Sequence, residues 1–188
     1  MSDDNAYITS LLPEIEDISD ARLRGQVAAI WVECWRESRW ERIEDVPKHP
    51  NLGMGRGLID HVRSVTQQAL AAAEIVQARH GIAADRDTLL AAGLLHDVSK
   101  LIEYEPDGNG GARTTTHGEL IQHAAYAAHK AWEHGLSEEI VHLILSHTPA
   151  SNKPPQTLEG LILHYVDFLD TDALLFDAGA GLELHEHW

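Results

Sequence analysis

A single cysteine, Cys34, in 188 residues excludes a disulfide framework and thiolate zinc clusters, and it fits a reducing cytoplasm. Basic residues are scarce: 14 Lys and Arg stand against 30 Asp and Glu, for a net charge of −16. Such a surface repels phosphate backbones, so the composition predicts no binding to nucleic acid or to anionic membranes. Long apolar runs are missing too. Stretches such as Val27–Val32 fall well short of the roughly 18 residues a membrane span needs. The acidic opening MSDDNAYITSLLPEIED lacks the basic start of a secretory signal. There is no internal repeat, no Pro-rich linker and no stretch of period-2 alternation, which leaves little room for strands.

What remains is an ordinary globular composition, 44% hydrophobic, in a chain long enough for a full core without metal staples. A metal site here would therefore serve function rather than folding. Helical spacing dominates. Residues 1–18 read as an acidic lead-in, followed by a helix over about 20–40 on which Leu23, Val27, Ile30 and Trp31 recur. VPKHPNLGMGRG (46–57) must be loop, and it divides an N-terminal extension (1–55) from the main body (56–175) and a tail (176–188). Further helices are expected over 58–79, from an Asp87 cap through LLAAGLLHD, over 117–134 up to Gly135, from a Ser137 cap through SEEIVHLILSH, and over 157–173. Residues 103–116 read as a Gly-rich polar loop. The predicted fold is all-α, a helical bundle around one core.

Thirteen histidines are an excess for this length, and several sit on apolar faces. His61 lies four before Val65 and eight before Ala69. His147 follows Ile140, Leu143 and Ile144 at helical spacings, His123 precedes Ala127 and Ala131, and His96-Asp97 ends an apolar run. Asp167 follows Leu163 by one turn. An unpaired buried imidazole or carboxylate costs several kcal/mol, and a lone buried histidine is most often a satisfied core residue. Five such positions on successive helices point instead to a shared divalent cation, which would satisfy all of them together.

The order His61 … His96-Asp97 … His123 … His147 … Asp167 resembles the HD superfamily of metal-dependent phosphohydrolases over about residues 56–175. AAGLLHDVSKL (91–101) is similar to its "HD-hydrophobic-Gly-Lys" signature, with Ser99 in place of glycine. LIDHVRSV resembles the family's opening helix, and SHTPASNKPPQTLEGLILHYVDFLD (146–170) its fourth-histidine-to-aspartate segment. The resemblance implies an HD bundle and a metal site. His61, His96, Asp97 and Asp167 would form a single-metal set; His123 and His147 would complete a second metal, with Asp97 bridging. Two divalent transition metal ions, iron or manganese, are implied, a single ion being the simpler form. They would activate a water for attack on a small phosphorylated substrate, with Asp97 and Lys100 as catalytic residues. Lys100 lies three after Asp97, on the same side of a helical turn, or else is a solvated turn residue.

Three functions follow from this reading. The first is hydrolysis of a phosphate ester or anhydride of a small molecule such as a nucleotide. The second is oxygen activation, since myo-inositol oxygenase holds two irons on the same ligand pattern and carries a lysine at the Lys100 position. The third is a degenerate binding module, against which the complete ligand set argues. No GYP segment follows His147, which disfavours cyclic-di-GMP hydrolysis. The remaining polar residues are weaker candidates. Arg63 reads as solvent-facing and His129, His134 and His142 as surface residues. His164 reads equally as a partner of the metal site or a core residue. His117 reads as a helix start rather than a site residue, and His185 and His187 receive no role. Trp31, Trp35 and Trp40 read as packing. Oligomeric state is left open.

Overall fold

The computed structural model describes residues 3–50, 56–151 and 153–182; His185 and His187 lie outside that range. The elements run α1 (Asp3–Leu11), α2 (Ala21–Glu37), α3 (Leu58–His80), α4 (Arg86–Leu95), α5 (Lys100–Glu103), β1 (Tyr104–Pro106), β2 (Ala112–Thr114), α6 (Thr116–Leu120), α7 (His123–Glu133), α8 (Glu138–Ser146) and α9 (Leu158–Asp177). The fold is all-α, as the spacing predicts. No helix among the described residues is long and apolar enough to cross a membrane.

The acidic lead-in is not featureless. It forms α1 and a 3-10 turn over Pro13–Asp17, and Ile8, Leu12, Ile15 and Ile18 are buried in the same core as Val62, Leu90 and Leu94. Ile8, Leu12, Ile15 and Ile18 recur at spacings of three and four, but Pro13 interrupts the helix and hides the pattern. Arg63, expected to face solvent, holds this segment: its Nε donates to both carboxylate oxygens of the buried Glu14, at 2.9 and 3.2 Å, and Gln67 Nε2 adds a bond of 2.7 Å.

Three other expectations shift. The cap of α4 is Asp85, which accepts from Thr88 N at 2.7 Å. Asp87 instead accepts from Ser19 N, Ser19 Oγ and Asp20 N, tying the start of α2 to α4. The predicted helix 117–134 breaks at Ile121–Gln122, and Gln122 caps α7 by accepting from Ala125 N, so that His123 opens a helix. The Gly-rich loop contains a two-stranded antiparallel hairpin. Asp107 Oδ1 accepts from Asn109 N and Gly111 N, and Gly108 and Gly110 take the positive φ of its turn, so the chain can reverse over too few residues for an alternation pattern to register.

Packing of α3 against α4 sets up the site. A Cβ on Gly93 would stand 2.9 Å from Thr66 Oγ1, so the two helices approach at a residue without a side chain. The three tryptophans are packing residues: Trp31 Nε1 donates to Leu94 O, Trp35 Nε1 to Trp40 O and Trp40 Nε1 to Tyr104 O, at 2.9 to 3.0 Å. They tie α2 and the segment after it to the helices that carry the histidines.

Glu14→Ala removes three hydrogen bonds from a buried carboxylate, leaving Arg63 and Gln67 unpaired. It is expected to cost about 1–3 kcal/mol of stability without altering metal content. Denaturant unfolding beside elemental analysis checks both; an unchanged midpoint would show that the N-terminal segment is held by apolar packing alone.

Candidate metal centre

Four helices and one turn deliver six side chains to one point. His61 comes from the second turn of α3, His96 and Asp97 from the turn after α4, His123 from the start of α7, His147 from the end of α8, and Asp167 from the middle of α9. His61, His96, Asp97 and His147 are buried, Asp167 nearly so, and the His123 side chain is the most open, at 20% exposure.

The six fall into two groups whose ligand-capable atoms lie within 4.8 Å of one another: His61, His96 and Asp167, and Asp97, His123 and His147. In the first, His61 Nε2 stands 3.3 Å from His96 Nε2 and 3.1 Å from Asp167 Oδ1. In the second, His123 Nε2 stands 3.1 Å from His147 Nε2. Asp97 lies between them. Its Oδ2 faces His61 and His96 at 3.4 and 3.8 Å, and its Oδ1 faces His123 and His147 at 3.5 and 3.7 Å. Edges of this length match a coordination sphere, in which bonds of about 2.0–2.2 Å put neighbouring ligand atoms roughly 3–3.5 Å apart.

Hydrogen bonding decides which ring atoms are free. His96 Nδ1 donates to Gly93 O at 2.7 Å and His147 Nδ1 to Ile144 O at 2.6 Å. His61 Nδ1 lies 2.8 Å from Asp170 Oδ2. Each Nδ1 therefore carries the proton, and in the neutral ring Nε2 presents a lone pair. Two lone pairs facing each other at 3.3 Å repel unless a cation or a proton lies between them. Asp97 Oδ1, Asp97 Oδ2 and Asp167 Oδ1 are buried and accept no hydrogen bond. The donor set, neutral imidazole nitrogens with orphaned carboxylate oxygens, fits divalent first-row metals.

Electrostatics agree. Burial opposes ionisation of Asp97, but Lys100 and Lys48 override it and hold the carboxyl well below the usual range. Asp167 is depressed as well, burial again being outweighed, here by Lys48 and His61. Burial pushes His96 down to about 4, and it lowers His147 and, helped by Lys100, His123. His61 goes the other way. Burial and Lys48 oppose its charge, yet the carboxylates of Asp167, Asp170 and Asp97 raise it to about 9, which favours the protonated ring in the metal-free cluster.

Lys100 lies where its spacing predicts, with Nζ 3.9 Å from Asp97 Oδ1 and 3.3 Å from Glu103 Oε2. Other site neighbours escaped the sequence. Asp170 orients His61 and itself accepts from Ser64 Oγ, Gln68 Nε2 and Arg56 Nη2 at 2.5, 2.9 and 3.4 Å. Its position three after Asp167, on the same helix face, was a usable signal. Lys48 reaches within 3.5 Å of Asp97 Oδ2 and 3.9 Å of Asp167 Oδ1, and a lone lysine in a proline-flanked loop gave no signal. Lys48 also lines a cleft of about 920 Å³, together with Arg39, His49, Arg56 and the β-hairpin.

Of the weaker candidates, His164 joins neither group. It donates through Nδ1 to His147 O at 2.8 Å and so supports the backbone of a group member. His117 starts α6, with its ring edge-on to Tyr126. His129 is exposed, whereas His134 is half-buried against Glu33 and His142 accepts from Gln156 N. Burial pushes the Cys34 thiol up to about 12, so it is no nucleophile.

The HD domain family matches residues 58–172. The dihydroneopterin 2′,3′-cyclic phosphate phosphodiesterase of Methanocaldococcus jannaschii is 30% identical over 118 residues, 61% of this chain and 46% of that protein. The 3′-5′ exoribonucleases YhaM of a Geobacillus species and of Bacillus subtilis are 38% and 36% identical over 133 residues, 64% of this chain and 39% and 40% of theirs. This chain thus spans less than half the length of the relatives it matches. No solved structure matches it. This match across more than half of the chain places it in the HD-domain family of phosphohydrolases.

Proposed function

We propose that the protein is a dinuclear metal-dependent hydrolase that cleaves a phosphoester or phosphoanhydride bond of a small, nucleotide-like molecule in the reducing cytoplasm. His61, His96 and Asp167 would hold one ion and His123 and His147 the other, with Asp97 available to both. Iron or manganese suits this donor set. What carries the reading is the division of Asp97: each of its oxygens is buried, accepts no hydrogen bond and faces a separate pair of imidazole nitrogens.

Bound divalent ions would supply a water of lowered pKa and would neutralise phosphoryl oxygens. The chain does the rest. His96 and His147 are locked by their Nδ1–H bonds to backbone carbonyls, so their Nε2 lone pairs are aimed before any ion arrives, and Asp170 fixes the orientation of the His61 ring. Lys100, fixed by Asp97 and Glu103, supplies a buried positive charge on the second group's side. His123, the most exposed of the six, marks the open side of that group. The −16 surface disfavours a long polyanion, whereas the cleft beside Lys48 has the volume of a small-molecule site. Both kinds of named relative are hydrolases of phosphoric esters, which favours hydrolysis over the diiron oxygenase reading.

Protein made without chelators is expected to carry about two transition metal ions per chain, and His123→Ala or His147→Ala about one, with the fold intact. Elemental analysis beside circular dichroism decides it; full metal retention in both variants would refute the second ion.

A panel of mononucleotides, cyclic and dinucleotide phosphates and a short RNA, assayed with Mn²⁺, with Fe²⁺ anaerobically and with Fe²⁺ in air, tests the reaction. Turnover of a small phosphoester or phosphoanhydride that needs no oxygen is expected, and Asp97→Ala should lose more than about 100-fold. Turnover that requires air would move the protein to the oxygenase class, and preference for RNA would overturn the small-substrate assignment.

Metal uptake should release protons. The raised pKa of His61, about 9, means that its ring holds a second proton below that value, and an ion must displace it. Near neutral pH, Mn²⁺ binding is expected to release about one proton per chain, and affinity should climb with pH until about pH 9. Calorimetry in buffers of different ionisation enthalpy measures this, and zero release would remove His61 from the ligand set.

A further inference from the structure

Lys48 lies ten residues before the segment that matches the HD domain, so family membership says nothing about it. Its backbone is nevertheless firmly placed. Lys48 N donates to Arg56 O at 3.1 Å, Pro47 pairs with Gly57, and Leu58 N donates to Val46 O at 2.8 Å. Val46 and Ile43, both fully buried, anchor the segment against the start of α3. From there the side chain, only 14% exposed, carries its ammonium to Asp97 Oδ2 and Asp167 Oδ1.

An ion pair made only for stability does not suit this site. Both partners belong to the set that the proposed function gives to metal ions, and an ammonium 3.5 Å from a ligand oxygen repels a cation bound there. Lys100 differs, because Glu103 holds it independently of Asp97. Lys48 also lines the cleft of about 920 Å³, whose walls mix Arg39, His49 and Arg56 with Glu41, Glu44 and Asp45, so that Lys48 is the cation at its inner end beside the cluster. It therefore stands between the cleft and the carboxylates, where a group entering from the cleft would meet it. When the carboxylates turn to cations, its ammonium needs a new anion.

We propose that Lys48, from outside the HD-domain segment, contacts the phosphoryl oxygens of the substrate and draws an anionic group from the cleft onto the metal centre. This rests on the metal reading above. It makes the N-terminal extension part of the substrate site and assigns that site an anionic phosphoryl group at the inner end of the cleft. Lys48 then exchanges its carboxylate partners for phosphate in each cycle while Lys100 stays fixed.

The test uses the full chain loaded with Mn²⁺ and inorganic phosphate as probe, followed by calorimetry and by inhibition of turnover. Lys48→Met is expected to weaken phosphate binding about tenfold or more. It should keep the full Mn²⁺ complement and bind Mn²⁺ at least as tightly as the parent, because a repelling charge is gone. Lys48→Arg should recover most of the phosphate affinity, and Lys48→Gln stands in if the methionine variant does not fold. Unchanged phosphate affinity in Lys48→Met, or absent phosphate binding in a Mn²⁺-loaded parent, overturns the proposal. So does loss of Mn²⁺ from Lys48→Met, which would make the lysine a structural partner of the ligands. A parent that takes up no Mn²⁺ refutes the metal reading itself and the Lys48 role with it.

Discussion

Everything in this molecule is arranged around a polar cluster that the protein cannot satisfy by itself. Four imidazoles and two carboxylates share a buried volume, with lone pairs facing lone pairs and three carboxylate oxygens accepting no hydrogen bond. Such a cluster costs folding free energy unless positive charge enters it. Lys48 and Lys100 supply part of that charge, and the raised pKa of His61 favours a further proton there. Divalent ions would supply more of it, in a donor geometry that already has the right spacing.

The scaffold bears that cost by being rigid around the cluster. The close crossing of α3 and α4 at Gly93 fixes His61 relative to His96, and the Gly93 carbonyl also takes the His96 Nδ1 proton. One residue thus sets both the helix distance and the ring orientation. On α9, Asp167 faces the cluster, and Asp170, one turn later, locks His61 through a network of Ser64, Gln68 and Arg56. The N-terminal segment belongs to the same core, and its tryptophan bonds to Leu94 and Tyr104 clamp the helices that carry the ligands.

Charge is unevenly placed. The chain carries a net negative charge, whereas Lys48 and Lys100 bring positive charge to the cluster; the cleft beyond Lys48 mixes Arg39 and Arg56 with Glu41, Glu44 and Asp45. A net negative charge of that size opposes the approach of a long polyanion. The exoribonuclease relatives show that the matching segment also occurs in proteins named for action on RNA.

The sequence by itself determined the helical class and the six inward side chains. Helical period records burial, and a histidine at i+3 or i+4 from valine or isoleucine can only face the core. It also placed Lys100 beside Asp97, because three residues on a helical turn are neighbours. Tertiary structure alone decided the rest. The lead-in's role as core, the bond from Arg63 to Glu14 and the use of Asp87 as a clamp on Ser19 all join residues tens of positions apart, and no local pattern encodes a partner at that distance. The break at Gln122 was hidden because helix-forming residues continue across it. Lys48 was hidden for the same reason in reverse. A loop has no period, and only the path fixed by Val46 and Gly57 sends that one lysine inward to the carboxylates.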